Sequence, residues 1–133
     1  MTDSERLTQG ACDFNEGRHF EAHEHWEAVW KSSIDPERTR LKALIQACGV
    51  FIHLRKGRLD PAGRLALRCL EHLAGATAHE QLHGTEPRIH IEGLEEAILR
   101  IAALLRTGIL KDSSVWEPLV QSCRAVFREA RRE

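Results

Sequence analysis

The sequence predicts an all-α fold, a single compact bundle of five or six helices, and three observations predict it. Tyrosine is absent and aromatic residues are 5% of the chain, so side chains that favour strands are scarce. No stretch alternates apolar and polar residues long enough to make a convincing strand. Apolar residues recur instead three and four apart, the period of a helix packed along one face.

Taken in order, the first helix is expected from about Asp3 to Asn15, with Leu7, Ala11, Cys12 and Phe14 on its inner side and a stop at Asn15-Glu16-Gly17. The second, about Arg18 to Ser32, carries Phe20, Trp26 and Trp30. Asp35 and Pro36 then supply an N-cap and a first helical residue. The third helix, about Pro36 to Lys56, is the most apolar: from Leu44 to Ile52 only Gln46 has a polar side chain. A helix apolar on all sides is expected at the centre of a bundle.

Gly57 ends the third helix, and Asp60-Pro61 opens a fourth, expected to reach about His79 with Ala62, Leu65, Ala66, Cys69, Leu70 and Leu73 inward. The fifth, about Ile91 to Thr107, repeats Leu94, Ile98, Ile101 and Leu105, with early acids suited to a helix start, and stops at Gly108. Ser114-x-x-Glu117 resembles a capping box, and Leu119, Cys123, Val126, Phe127 and Ala130 mark a last helix. No internal repeat or linker divides residues 1–133, which read as one domain.

Composition narrows the function. With 19 Lys+Arg against 20 Asp+Glu the net charge is −1, which argues against a wholly basic nucleic-acid binder. The longest apolar stretch, Ala47 to Ile52, is far short of a membrane span, and no secretory leader is visible, so a cytoplasmic location is expected. Cys12, Cys48, Cys69 and Cys123 are widely spaced with no Cys-x-x-Cys pair, and read as buried, reduced thiols. His72, His79, His83 and His90 sit among polar residues and read as solvated.

The informative segment is the second helix. At about 100° per residue, Trp30, Glu27, His19, Trp26 and Phe20 all fall within about 60° of His23. His23 and Glu27 therefore share a face with aromatic residues, where burial of an ionisable pair is costly unless partners meet it. Three readings compete. The pair fixes packing register; or it binds a divalent metal, since an imidazole and a carboxylate four apart point the same way; or it forms an acid/base pair in a small-ligand pocket. Glu24 lies at the rim, and Trp26 and Trp30 are expected to flank the pocket. On the third helix Gln46 and His53, seven apart, share a face. Antiparallel packing of the second and third helices would bring Gln46 and His53 towards His23 and Glu27, which makes His53 a further metal-ligand candidate.

The motif carries a resemblance. Phe20, Glu21, Ala22, His23, Glu24, Trp26, Glu27 and Trp30 resemble the signature of a family of small helical bacterial and archaeal proteins, domain of unknown function 309, which has an aromatic followed by Glu-Ala-His-Glu-x-Trp-Glu-x-x-Trp. Leu44-Ile45-Gln46-Ala47 with His53 resembles its second block, and Gly57 through Leu70 its third. The similarity spans roughly residues 5–108 and leaves a C-terminal extension at 109–133. It implies a helical bundle with a polar cluster at His23, Glu24 and Glu27, and no particular activity.

Other motifs are weaker. His23-Glu24-x-x-Glu27 lacks the second histidine of the zinc-protease pattern. Charge, however, is segregated. Residues 1–35 hold eight acids and three bases, while residues 38–68 hold eight bases and one acid, Asp60. The plain reading is a solvated basic face complementing the acidic N-terminal hairpin. The expectation is thus a protein that binds a small ligand or divalent metal at His23 and Glu27, with hydrolase-like chemistry. The alternative is a non-catalytic interaction module that uses the basic 38–68 stretch to meet a protein, a phosphorylated metabolite or a nucleic acid, with His23 and Glu27 structural. The sequence leaves the oligomeric state open, a homodimer being one option since bundles of this size often pair.

Overall fold

The computed structural model describes residues 1–108 and 111–128. In order, the elements are α1 (Asp3–Asn15), α2 (His19–Trp30), α3 (Glu37–Arg55), α4 (Leu59–His83), β1 (Ile89–Glu92), α5 (Leu94–Leu105), α6 (Ser113–Gln121) and β2 (Arg124–Phe127). The protein is predominantly helical, with one two-stranded sheet.

Local chemistry sets the helix ends. The Thr2 hydroxyl accepts from the Glu5 amide at 3.1 Å to cap α1, and the Asp35 carboxylate accepts from the Thr39 amide at 3.0 Å ahead of α3. The α1–α2 turn closes on Asp13, whose buried carboxylate accepts from Arg18 Nε at 3.0 Å and Nη2 at 2.6 Å. The two helices then pack against α3, with the Trp26 indole between α1 and α2, fully buried and donating to the Leu7 carbonyl at 3.4 Å. Gly10 makes room for it, because a Cβ there would overlap the indole ring.

Helix α3 is central, as its composition predicts. It contacts α2, α4, α6 and β1, and Leu41, Ala43, Leu44, Ala47, Cys48, Val50 and Phe51 are fully buried around it. A bidentate ion pair, Arg40 with Glu80, joins α3 to α4 with both side chains nearly inaccessible. Such a pair satisfies both charges only because its geometry is two-pronged.

Several expectations are corrected. Ile91 and Glu92 belong to a strand, and α5 starts at Leu94. Gly93, at φ +77, makes the change of direction, and a Cβ there would stand 3.1 Å from the Ser122 carbonyl. β1 pairs antiparallel with β2, Ile89 opposite Phe127 and Ile91 opposite Ala125. Four residues are too few for alternation to stand out, and the partner strand lies far along the chain.

Cys123, Val126 and Phe127 therefore lie beyond the last helix, which ends at Gln121; Ala130 is outside the described residues. Asp112, and not Ser114, caps α6 through the Ser114 amide at 2.9 Å. The Asn15 amide holds β2 to α1, donating to the Ala125 carbonyl at 3.0 Å and accepting from the Ala125 amide at 2.7 Å.

Cys12 is exposed, against expectation, while Cys48, Cys69 and Cys123 are buried and free. Burial pushes the Cys69 thiol up to about 12 and the Cys123 thiol up to about 11, so neither is reactive at neutral pH. His72, His79 and His90 are half-buried, and only His83 of that group is exposed.

The basic stretch does not close onto the acidic hairpin through ion pairs among the described residues. Arg40 pairs with Glu80 and Arg55 with Glu117, while Arg38 and Lys42 stack on the Trp30 ring. No described helix is long and apolar enough to cross a membrane.

Candidate functional site

Helix α2 has two distinct sides. Its buried stripe is His19, Ala22, Trp26 and Val29, centred about 80° from His23 on the helical wheel. The aromatic face predicted from sequence is therefore not the buried face. His23 lies at its edge, with Glu27 and Phe20 further round at about 120° and 140° from its centre, and Phe20 is 61% exposed. His23 and Glu27 reach solvent, so the pair is not enclosed in the core, although His23 Nδ1 itself is buried.

At this edge His23 meets two carboxylates. Its Nδ1 lies 3.5 Å from Glu24 Oε1 and its Nε2 lies 3.5 Å from Glu27 Oε2. One ligand atom from each of the three residues falls within 4.8 Å of the others. The side chains of His23, Glu24 and Glu27 are 28%, 60% and 41% accessible, so the group is open to solvent on one side. Neither imidazole–carboxylate contact is a hydrogen bond, and His23 Nδ1 is buried without a hydrogen-bond partner. The two 3.5 Å contacts use opposite ring nitrogens, of which one ion takes a single one; with one atom from each residue the donors lie within 4.8 Å of one another, against roughly 3.4 Å between donors held about 2.1 Å from a tetrahedral zinc ion. Phe20 lies nearly parallel to the His23 ring, with 6.5 Å between ring centroids and 10° between planes.

Glu24 is thus a member of the cluster and the most exposed of its three side chains. Glu24 and Glu27 also form one wall of a depression of about 300 Å³, lined further by Arg6 of α1 and by His25 and Lys31. Behind it, His25 Nε2 lies 3.7 Å from the buried Asp13 carboxylate. Asp13 passed unremarked in the sequence because a single acid on an amphipathic helix gives no sign of being turned inward.

The remaining candidates lie elsewhere. Trp26 is a core residue, and the Trp30 ring is covered by Arg38 at 4.0 Å and Lys42 at 4.6 Å. Gln46 faces α4, where its Oε1 accepts from His72 Nδ1 at 2.7 Å. His53 is outside the cluster: burial lowers its imidazole first, followed by the positive potential of Arg58, Lys56 and Arg64. The convergence of Gln46 and His53 on His23 needed a register between helices that spacing within one helix does not set.

His19, one turn before His23, is 3% exposed. Its ring packs edge-on against Phe14 at 4.9 Å and Phe51 at 5.1 Å. Burial, with a smaller contribution from Arg55, pushes the imidazole down to about 4, so it is neutral at physiological pH.

No curated protein and no solved structure matches the chain. The model of the family Domain of unknown function (DUF309) matches residues 7–65, a span shorter than the resemblance read from sequence but one that contains the whole His23 cluster, and over those residues the chain is similar to that family.

Proposed function

We propose that this chain is a metal-binding protein in which His23, Glu24 and Glu27 hold one divalent ion at the edge of α2. The observation that carries this reading is the convergence of an imidazole and two carboxylates within 4.8 Å, at a solvent-open edge. One nitrogen and two carboxylate oxygens make a mixed donor set suited to zinc or manganese. Three protein ligands leave at least one position for water or a small ligand, as catalytic rather than structural zinc sites do. A metal ion there supplies Lewis acidity and a water of lowered pKa, the chemistry of a hydrolase. The depression beside Glu24 and Glu27 gives a small ligand room, and Arg6 and Lys31 on its walls suit an anionic group on that ligand.

The test is the metal content of untagged protein purified without chelator, followed by titration with zinc and with manganese. About one ion per chain is expected, with affinity reduced about tenfold or more in His23→Ala and Glu27→Ala and helicity retained. A blank titration of the wild type, or unchanged affinity in both variants, refutes the reading.

A further inference from the structure

An open groove of about 550 Å³, sharing no lining residue with the His23 cluster, runs between α4 and α5. Leu59, Leu67, Leu70, Leu99 and Leu105 line it. Leu67 is 55% and Leu99 51% exposed, so apolar surface stands in water here with no covering element among the described residues. The α4 side from Leu59 to Leu70 spans about 16 Å, the length of a three-turn helix.

Outside this groove arginines both with and without acidic partners occur: Arg18 meets Asp13, Arg40 meets Glu80, Arg55 meets Glu117 and Arg100 meets Glu96, while Arg6 and Arg124 have no ion pair among the described residues. Arg64 and Arg106 line the groove with no side-chain ion pair or hydrogen bond among the described residues, and the side chains of Arg58 and Arg68, the neighbouring arginines of the α4 segment, have none either. Asp60 is the one acid in the lining, and it too is unpaired. The lowered His53 imidazole reports the same concentration of positive charge from Arg58, Lys56 and Arg64, after the larger effect of burial.

We propose that the α4–α5 groove docks an acidic amphipathic helix of a partner protein, its leucine-type residues on the groove floor and its carboxylates against Arg64 and Arg106. Helix-in-groove recognition uses this combination: apolar anchors spaced at three, four and seven for affinity, and rim charges for orientation and on-rate. Nucleic acid fits less well, because the lining has no aromatic residue for stacking and its exposed floor is leucine. A second copy of this chain docked face to face would set Arg64 and Arg106 against the same arginines, with only Asp60 to offset them.

The test uses the full chain and a fluorescein-labelled designed peptide of about 18 residues, leucine at positions spaced three and four apart and glutamate on the flanks, beside a control peptide with lysine for glutamate. The acidic peptide is expected to bind saturably, with Kd between about 1 and 100 µM. Raising salt, Leu67→Asp and Arg64→Glu should each weaken it about tenfold or more, and the lysine peptide should not bind the wild type. Both substituted side chains are exposed, and circular dichroism checks that the variants fold.

Four results each overturn the proposal. The acidic peptide shows no saturable binding at about 100 µM. The two substitutions leave binding unchanged. Sedimentation shows a homodimer that Leu67→Asp dissociates, which gives the groove to a second copy. Single-stranded DNA binds in preference to the peptide, which gives it to nucleic acid.

Discussion

His19 and His23 lie one helical turn apart on α2, and the fold treats them oppositely. His19 is enclosed by Phe14 and Phe51 and kept neutral by burial, whereas His23 stands at the edge between two carboxylates with its ring open to solvent on one side. A displacement of about 40° around the helix is enough to send one imidazole into the core and the other to the surface. Residue type and face on the wheel therefore did not separate a structural histidine from a ligand candidate. The tilt of α2 against α1 and α3 did, by setting where its buried stripe falls.

That contrast can be broken most forcefully from the buried side. Trp26→Ala removes a fully buried indole from the same stripe as His19 and is expected to cost about 3–5 kcal/mol in chemical denaturation. A loss under about 1 kcal/mol would mean that the stripe is not the core of the hairpin.

His19 gives the next largest effect, through pH. The unfolded imidazole takes a proton near 6.5, while the folded one stays neutral down to about 4. The unfolded chain therefore binds more protons between these values. Stability from this group is complete above 6.5, falls as pH drops, and levels off below about 4, for a total of up to about 3 kcal/mol. Urea denaturation at several values across this range measures the slope, and His19→Leu should remove it. A slope that survives in His19→Leu assigns it to another group.

On the edge the expected stability effects are small and sharpen the comparison from the other side. Phe20→Ala, at a 61% exposed position, should change stability by less than about 1 kcal/mol yet weaken zinc binding, because the ring that lies parallel to His23 is gone. His23→Ala should change stability by no more than about 0.5 kcal/mol while losing the metal. A loss of several kcal/mol in His23→Ala would return His23 to a packing role.

Helix existence was legible because it rests on local terms. The apolar run from Leu44 to Ile52 marks a central helix wherever its neighbours lie, and the Asp35 carboxylate meets the Thr39 amide within about a turn, although the N-cap position falls to Pro36 and the helix starts at Glu37. The sheet was not legible. Ile89–Glu92 and Arg124–Phe127 are four residues each, separated by two helices, and the Asn15 side chain that holds β2 comes from the opposite end of the chain. Of the candidate site, the local part needs only helical spacing: Glu24 and Glu27 flank His23 within one turn. Gln46 and His53 depended on inter-helix register, and Gln46 turned to His72 instead.

By itself, then, the sequence determined the helical class, the central place of the third helix and the trio on the second, because period, caps and spacing act within a turn or two. The tertiary structure alone decided which edge of α2 faces water, where the arginines of residues 38–68 find partners or go without, and that Asp13 and His19 turn inward. Those outcomes depend on how whole helices tilt and slide against one another, a balance of many small packing contacts among residues distant in sequence.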